Sequence, residues 1–298
     1  MNIKPEGRFQ VFANIVMILI TLIAIIPLIL LTIASLTDNS ALIRNGYSFV
    51  PEKWSVYAYQ YIFSSGNSVP HAYWISLVLT ASGTLIGLTI TTLLAYALSK
   101  KFLPGRGILT FIVFFTMLFS GGLVPTYINY TGVFGLKNTF LALMIPGLLM
   151  NAFNVMMMKS YFVTSIPEEI MEAANIDGAN EFSVFFRVAL PLSKPIIATI
   201  GLFIGIGYWN DWMNGYIYLT KRTDLYSIQN LLYRMIQNIQ FLVNNSSSLT
   251  GADKSLGSIP SVSVRMAMAV VGVLPIVIVY PFIQNNFIKG ITLGGVKG

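Results

Sequence analysis

The chain has 298 residues, of which 55% are hydrophobic and 10% are charged, and its mean hydropathy is +0.72. A surface of that composition does not suit water, so the natural solvent is a lipid bilayer. The formal net charge of +7 comes from basic residues scattered through short linkers, which favours an anionic membrane surface over nucleic acid. Because the chain contains no cysteine, disulfides and thiolate metal sites are excluded.

Stretches without Asp, Glu, Lys and Arg predict the membrane spans, because a helix needs about 20 mostly apolar residues to cross the hydrocarbon core. Trimmed at their turn signals, the predicted spans are six: residues 11–36, 73–99, 108–130, 139–162, 194–219 and 264–288. The first is too long for the apolar region of a signal peptide, and we interpret it as an uncleaved helix. Asp211 lies inside the fifth span, where an ionisable residue should face a cavity or a partner.

Six spans place both termini on one side of the membrane. With the termini inside, the inside segments hold ten basic residues and the outside segments hold eight. The short loop at 100–106 contains Lys100, Lys101 and Arg106, and this local density favours cytoplasmic N- and C-termini. The predicted fold class is therefore an all-α integral membrane protein with one transmembrane domain, residues 1–298.

Two long connections then lie outside the cell. Residues 38–72 carry aromatic side chains that suit an interfacial belt: Trp54, Tyr57, Tyr59, Tyr61 and Phe63. Residues 220–263 begin with apolar positions at helical spacing: Leu225, Ile228, Leu232, Met235, Ile236 and Ile239. The polar stretch NNSSSLTGADKSLGS follows and is predicted to be flexible. The helix is interpreted either as amphipathic on the outer surface or as a docking surface for an external partner.

Acidic residues concentrate in a segment between the fourth and fifth spans. Five of the eleven acids in the chain fall there: Glu168, Glu169, Glu172, Asp177 and Glu181. Pro167 suits the first position of a helix, acids favour its N-terminal end, and Thr164 or Ser165 could supply a cap. Gly178 follows where a left-handed residue would end that helix. The sequence therefore predicts a helix-turn-helix in the loop 164–192, on the cytoplasmic side.

The predicted helix has a narrow apolar face. Helical geometry places four small or apolar residues together: Ile166, Ile170, Ala173 and Ala174. The opposite face carries Glu168, Glu172 and Asn175. Beyond the second helix, Pro191 and Pro195 should break regular helix, with Ser193 as a candidate cap. Composition alone is typical of an ordinary solvated loop helix.

Spacing in this loop matches a known signature. Glu172, Ala173 and Ala174 are followed after three residues by Gly178, and after nine more by Val188, Ala189, Leu190 and Pro191. This resembles the motif Glu-Ala-Ala-x3-Gly-x9-Ile-x-Leu-Pro, called the EAA motif, of the membrane subunits of ABC importers, with valine in place of isoleucine. DGAN, YWNDW, SVRMAMAVVGVLPIVIVYPFIQNNFIKG and LGGVKG resemble carbohydrate-uptake permeases of the maltose-transporter group. FSGGLVPTYI resembles the LplC/YtcP-like branch of that group.

The resemblance implies a permease of the bacterial cytoplasmic membrane that forms half of the path for a sugar or oligosaccharide. It implies four partners: a second homologous permease, a cytoplasmic ABC ATPase dimer that binds ATP and Mg, an extracytoplasmic solute-binding protein and the carbohydrate itself. In that family the loop forms a coupling helix on the ATPase. Carried over to this chain, the coupling residues are Glu168, Glu169, Glu172, Ala173, Ala174, Asp177, Gly178, Leu190 and Pro191.

Candidate residues for the substrate path lie in the fifth span, because sugar recognition uses aromatic faces beside amides and carboxylates. They are Tyr208, Trp209, Asn210, Asp211 and Trp212; an interfacial belt with helix packing is the alternative interpretation. The tail GITLGGVKG is only a near miss to a phosphate-binding loop, and no metal or nucleophile constellation is visible. ATP should therefore be hydrolysed by another polypeptide, and this subunit should not be a catalyst.

Two other functions compete with an importer subunit. A secondary transporter would need ion-coupling acids within its spans and internal repeats, whereas Asp211 is the one acid inside a predicted span. A membrane-embedded enzyme would need a convergent catalytic set, which the sequence does not offer.

Overall fold

The computed structural model describes residues 7–64, 68–245 and 261–295, and these residues form helices without a β-strand. The α-helices are α1 (Gly7–Ser35), α2 (Asn39–Asn45), α3 (Tyr57–Ser64), α4 (Ser68–Ser99), α5 (Arg106–Leu118), α6 (Leu123–Ile128), α7 (Leu141–Met144), α8 (Ala152–Thr164), α9 (Glu168–Ile176), α10 (Glu181–Val184), α11 (Leu190–Leu192), α12 (Lys194–Asn210), α13 (Met213–Tyr218), α14 (Ile228–Asn245) and α15 (Ser261–Gly295). Two π-helical turns, Asn129–Val133 and Phe185–Ala189, and a 3₁₀ turn, Thr223–Leu225, complete them.

Several helices meet the requirements for crossing a membrane. Within the described ranges, three single helices are long and apolar enough: Phe9–Ser35, Ser68–Ser99 and Val262–Val279. Two bent pairs also qualify when each pair is taken as one span, which gives up to five. The all-α architecture is thus confirmed, and the count of six spans stays a prediction.

The third predicted span, residues 108–130, is not one straight helix. It consists of α5 and α6 with the following π-helical turn, and the two parts are bent by 118°. The break contains Gly121 and Gly122, and Gly122 has a φ of 81°, which a residue with a side chain rarely adopts. The glycine pair therefore ends α5 although the stretch is continuously apolar.

The fourth predicted span, residues 139–162, is likewise interrupted. Only α7 and α8 are helical, and Pro146 and Gly147 lie between them. Proline lacks the N–H that helix needs, and Gly147 has a φ of 72°. Asn151 then starts α8, because its side chain accepts hydrogen bonds from the N–H groups of Phe153 and Asn154. Hydropathy alone does not detect such a break.

The chain divides into two compact units, residues 1–69 with 232–275 and residues 70–231 with 276–298. In the first unit, Asn39 holds the start of α15, because its side-chain oxygen accepts from the N–H groups of Val262 and Ser263 at 3.0 and 3.3 Å. Ser35 at the end of α1 and the Tyr59 hydroxyl in α3 lie 2.8 Å apart.

The loop between α1 and α3 carries both charge and aromatic surface. Arg44 donates to both carboxylate oxygens of Glu52 at 2.7 Å. These hydrogen bonds, with a further one from Asn45, lower the pKa of Glu52. Trp54 and Tyr57 are exposed, as an interfacial belt requires. The belt itself stays a prediction.

The amphipathic helix expected in the second long connection is confirmed as α14. Of the predicted apolar positions, Ile228, Leu232 and Ile239 are at most 4% exposed, and Leu225, Met235 and Ile236 are half-buried. Of the polar stretch predicted to follow, residues 246–258 lie outside the described residues. The alternative, a docking surface for an external partner, stays a prediction.

The core of the second unit surrounds α8. Val155 and Met158 of α8 are fully buried together with Leu98 of α4 and Ile200 of α12. Helices α5 and α12 pack against α8. The same core extends to Phe162, at the end of α8, where the chain turns into the acidic loop.

Candidate functional site

The acidic loop begins with α9 (Glu168–Ile176). Glu168 and Glu169 occupy its first turn, where their charges favour the positive end of the helix dipole. Pro167 precedes the helix in an extended conformation and supplies no side-chain cap. The predicted cap is therefore wrong: Thr164 instead donates to the Ser160 carbonyl at the end of α8, and Ser165 is the C-terminal cap of α8.

Gly178 makes the turn that ends α9. Its φ is 83°, which confirms the predicted left-handed position. The N–H of Gly178 donates to the Asn175 carbonyl and the N–H of Ala179 donates to the Ala174 carbonyl, each at 3.0 Å. This pair of bonds is a Schellman motif. Asn180 then caps α10 by accepting from the N–H of Ser183 at 2.8 Å.

Helix α9 projects from the rest of its unit. None of its residues is buried, and Ile170 and Ile176 are 44% and 86% exposed. The inward contacts are made by half-buried Met171 and Ala174. The predicted apolar face is thus corrected: Ala174 does turn inward, but Ile170 and Ala173 are exposed and buried Ile166 precedes the helix. The long apolar side chain that shares the inward face of the helix with Ala174 is Met171, not Ile170.

Two lysines after α4 pair with acids of this loop. The Lys101 ammonium lies 2.6 Å from a carboxylate oxygen of Glu168, and Lys100 lies 3.4 Å from Glu181. The hydrogen bond to Glu168, and secondarily its charge, raises the pKa of Lys101. Sequence analysis used these lysines only for topology. The clustered acids opposite a short basic loop were the signal that could have found the pairs.

The far end of the loop bends into α12. Leu190 and Pro191 form α11 directly after a π-helical turn, and the segment Glu181–Leu192 makes an angle of 81° with α12. Ser193 precedes α12 but gives no side-chain cap, because its hydroxyl donates to the Ala189 carbonyl at 2.7 Å. The two prolines thus coincide with a bend, as predicted.

Of the predicted path residues, Tyr208 and Trp209 pack inside the second unit. Tyr208 is 1% exposed and its hydroxyl donates to the Met144 carbonyl at 2.8 Å. A Cβ atom added at Gly83 would collide with the Tyr208 ring, so glycine is required there. Trp209 is 6% exposed, and its ring centroid lies 6.1 Å from that of Tyr73.

The other three path residues lie at the C-terminal end of α12: Asn210 is its last residue, and Asp211 and Trp212 follow it. Asn210 is exposed, whereas Asp211 and Trp212 are half-buried. Asp211 accepts from the N–H of Asn214 at 3.4 Å. The Trp212 carbonyl accepts from the Asn230 amide at 2.9 Å. The break at Asp211 and Trp212 also divides the fifth predicted span into α12 and α13.

The single histidine has a structural contact that sequence analysis did not assign. His71 Nε2 lies 2.8 Å from the Asp224 carbonyl oxygen and joins the start of α4 to the 3₁₀ turn. In the part of the chain that the structure describes, no three His, Asp or Glu side chains are grouped to hold a metal ion. A cavity of about 290 Å³ is lined by residues 37–52 of the first unit and includes none of the predicted path residues.

Comparisons with known proteins identify the class. Residues 6–293 match the family described as "Binding-protein-dependent transport system inner membrane component". The chain is 38% identical to the polygalacturonan/rhamnogalacturonan transport system permease protein YtcP of Bacillus subtilis, over 95% of this chain and 96% of that protein. It is 35% identical to Protein LplC of the same organism, over 93% and 90%.

A solved structure gives the same answer. The chain resembles a subunit in the crystal structure of a bacterial ABC transporter involved in the import of the acidic polysaccharide alginate, with a TM-score of 0.75, 27% identity, and coverage of 96% of this chain and 99% of that one. The fold and the loop therefore define a permease subunit of an ABC importer, in which a separate ATPase hydrolyses ATP. The chain belongs to the binding-protein-dependent transport system inner membrane component family.

Proposed function

We propose that residues 164–192 dock on a cytoplasmic ABC ATPase and that α9 is the coupling helix. Coupling through the EAA loop is general for this family. The observation that carries the proposal is the exposure of α9: no residue of this helix is buried, although Lys100 at the end of α4 contacts its Met171 and pairs with Glu181 just beyond its C-terminal turn. A helix supported in this way can enter a cleft on a partner without unfolding.

The surface of α9 has two kinds of contact to offer. Ile170 and Ile176 present apolar side chains, and Ala173 between them permits close approach of another backbone. Glu169 and Glu172 are exposed carboxylates, which suit charge-assisted hydrogen bonds with basic groups. In this arrangement Asp177 and Gly178 form the turn that lets α9 project, and Leu190 and Pro191 join the loop to α12.

The proposal extends to the whole importer, of which this chain would be one membrane subunit. The chain would cross the membrane six times with both termini in the cytoplasm, and a second homologous permease would supply the other half of the path. An ATPase dimer would bind ATP and Mg, and an extracytoplasmic binding protein would deliver the substrate. Family membership supports an ATPase and a solute-binding protein as partners.

The proposed substrate is a sugar or oligosaccharide. Polyuronates should be tried first, because the name of YtcP and the alginate transporter refer to polygalacturonan and to an acidic polysaccharide. Asn210, Asp211 and Trp212 are the path residues retained, since Tyr208 and Trp209 have packing roles. Unchanged uptake and specificity in Asn210→Ala and Asp211→Asn variants would remove this segment from the path.

The test of coupling is the substitution Gly178→Val in the reconstituted complex. Nothing lies within 4 Å of a Cβ at this position, so the variant changes the φ of 83° and not the packing. A left-handed residue with a side chain costs about 1–2 kcal/mol, and a β-branched one is a clear outlier. We expect ATP-driven uptake to be lost while the permease still assembles in the membrane.

Gly178→Asn is the matched control, because asparagine tolerates the left-handed region and should retain most uptake. Normal substrate-stimulated uptake in Gly178→Val would overturn the proposal. Uptake by wild-type vesicles that follows an ion gradient instead of ATP would do so as well.

A further inference from the structure

Lys100 follows the last residue of α4, yet its side chain is only 11% exposed. A lysine is seldom buried to this degree unless its charge is paired. Its ammonium lies 3.4 Å from a carboxylate oxygen of Glu181 and 3.7 Å from the Met171 sulfur. It also lies 4.6 Å from the centre of the Tyr96 ring, within range of a cation–π contact.

These contacts fall on both sides of the Gly178 turn. Met171 belongs to α9, and Glu181 is the first residue of α10. A single cation at the end of α4 therefore contacts both arms of the helix-turn-helix. Any displacement of one arm relative to α4 has to stretch or carry along these contacts.

Tyr96, in the last turn of α4, strengthens the same junction. Its hydroxyl donates to Glu181 at 3.2 Å, on the carboxylate oxygen that Lys100 approaches. Its ring packs against Phe162 and Phe185, with centroids 5.6 and 4.8 Å away. The end of α4 thus meets α8, α9, α10 and the π-helical turn at one junction, where Tyr96, Phe162 and Phe185 are buried and the Glu181 side chain is 46% exposed.

The neighbouring pair is built differently. Lys101 and Glu168 are 2.6 Å apart, but their side chains are 74% and 55% exposed. Water and salt screen such a pair, so it adds little rigidity. The chain therefore contains two adjacent lysines that face the same acidic loop, of which only Lys100 is embedded in a packed junction.

We propose that Lys100 is a positioning residue that transmits movement of the coupling helix to α4, through Glu181 and Met171. This rests on the proposed docking of α9 to an ATPase. When the ATPase displaces α9, the packed junction passes the displacement to α4, a candidate membrane span of 32 residues. If a neutral, flexible side chain replaced Lys100, α9 could move without moving α4.

The experiment compares Lys100→Met with Lys101→Met in the reconstituted importer. Methionine keeps the apolar stem and removes the charge. The readouts are substrate translocated per ATP hydrolysed and co-purification of the ATPase. Allosteric couplings are typically worth about 5- to 150-fold, and we expect about a tenfold lower ratio for Lys100→Met with the ATPase still bound. Lys101→Met should keep the wild-type ratio, and Lys100→Arg should restore much of the loss.

A double-mutant cycle separates transmission from general damage. If Lys100 acts through Glu181, Lys100→Met combined with Glu181→Gln should lower the ratio no further than either single change. Four outcomes would each overturn this inference. They are additive losses in the double variant, an unchanged ratio in Lys100→Met, equal losses at both lysines, and loss of the ATPase from Lys100→Met. If wild-type permease fails to bind an ATPase at all, the proposed function fails instead.

Discussion

Helix α9 and the segment 208–212 are both singled out by their residue types, and the structure treats them in opposite ways. In α9 no side chain is buried, and the apolar Ile176 is 86% exposed. In the second segment the large aromatic residues Tyr208 and Trp209 are 1% and 6% exposed. Apolar side chains are thus exposed on α9, whereas the aromatic side chains Tyr208 and Trp209 are buried within the chain.

The difference teaches how to distinguish a docking element from a packing element in a membrane protein. The Tyr208 hydroxyl donates to the Met144 carbonyl, and Gly83 leaves room for the Tyr208 ring because it has no side chain. Ile176 has no such enclosure, although the turn that follows it is fully hydrogen-bonded. A well-formed helix outside the predicted spans with exposed apolar side chains is what the proposed docking surface requires.

The largest effect expected from this comparison is a loss of stability in Tyr208→Ala. Removing a buried aromatic ring leaves a cavity and typically costs on the order of 3 kcal/mol or more. The thermal unfolding midpoint of the detergent-solubilised permease should fall markedly. Tyr208→Phe keeps the ring and loses only the bond to Met144, so its loss should be about 1 kcal/mol. A normal midpoint in Tyr208→Ala would show that this side chain is not a packing residue.

Ile176→Ala should give the reverse pattern. An exposed side chain contributes little to stability, so the free energy of unfolding should change by no more than about 0.5 kcal/mol. The ATPase should bind about tenfold more weakly, which corresponds to about 1.4 kcal/mol lost at the interface. If a titration gave the same ATPase affinity for wild type and for Ile176→Ala, the interface would have to lie elsewhere.

The smallest effect concerns the exposed pair of Lys101 and Glu168. Because the pKa of Lys101 is raised above its usual value of 10.5, the pair contributes fully below that pH and is lost as pH rises through the raised pKa. The midpoint difference between wild type and Lys101→Met should therefore be small and equal at about pH 7 and about pH 9. A difference that changes between those two pH values would contradict this assignment.

Sequence analysis predicted the all-α class, the left-handed Gly178 and the amphipathic helix α14, because each depends on local periodicity or on one residue type. It did not predict the breaks at Gly122 and Gly147. Both lie in continuously apolar stretches, and hydropathy measures the side chains, whereas these breaks are decided by the backbone.

The contacts of the candidate site were harder to predict for another reason. Lys100 and Glu181 are 81 positions apart in the chain, and only the tertiary fold brings them together. The face of α9 was misassigned because helical spacing allows Ala174 to share a face with either Ile170 or Met171. In the structure Met171 packs against the hydrophobic core and contacts Lys100, so Met171 and not Ile170 lies on the inward face.

The most direct test of the central claim, that α9 docks on an ATPase, uses the absence of cysteine from this chain. Ile176→Cys introduces a single thiol on exposed α9, and Val50→Cys introduces one at a position 83% exposed in the first unit. Both thiols should react with a polar maleimide in the permease alone. Addition of the ATPase should protect the thiol of Ile176→Cys and leave that of Val50→Cys reactive. Equal labelling of Ile176→Cys with and without a bound ATPase would contradict the account.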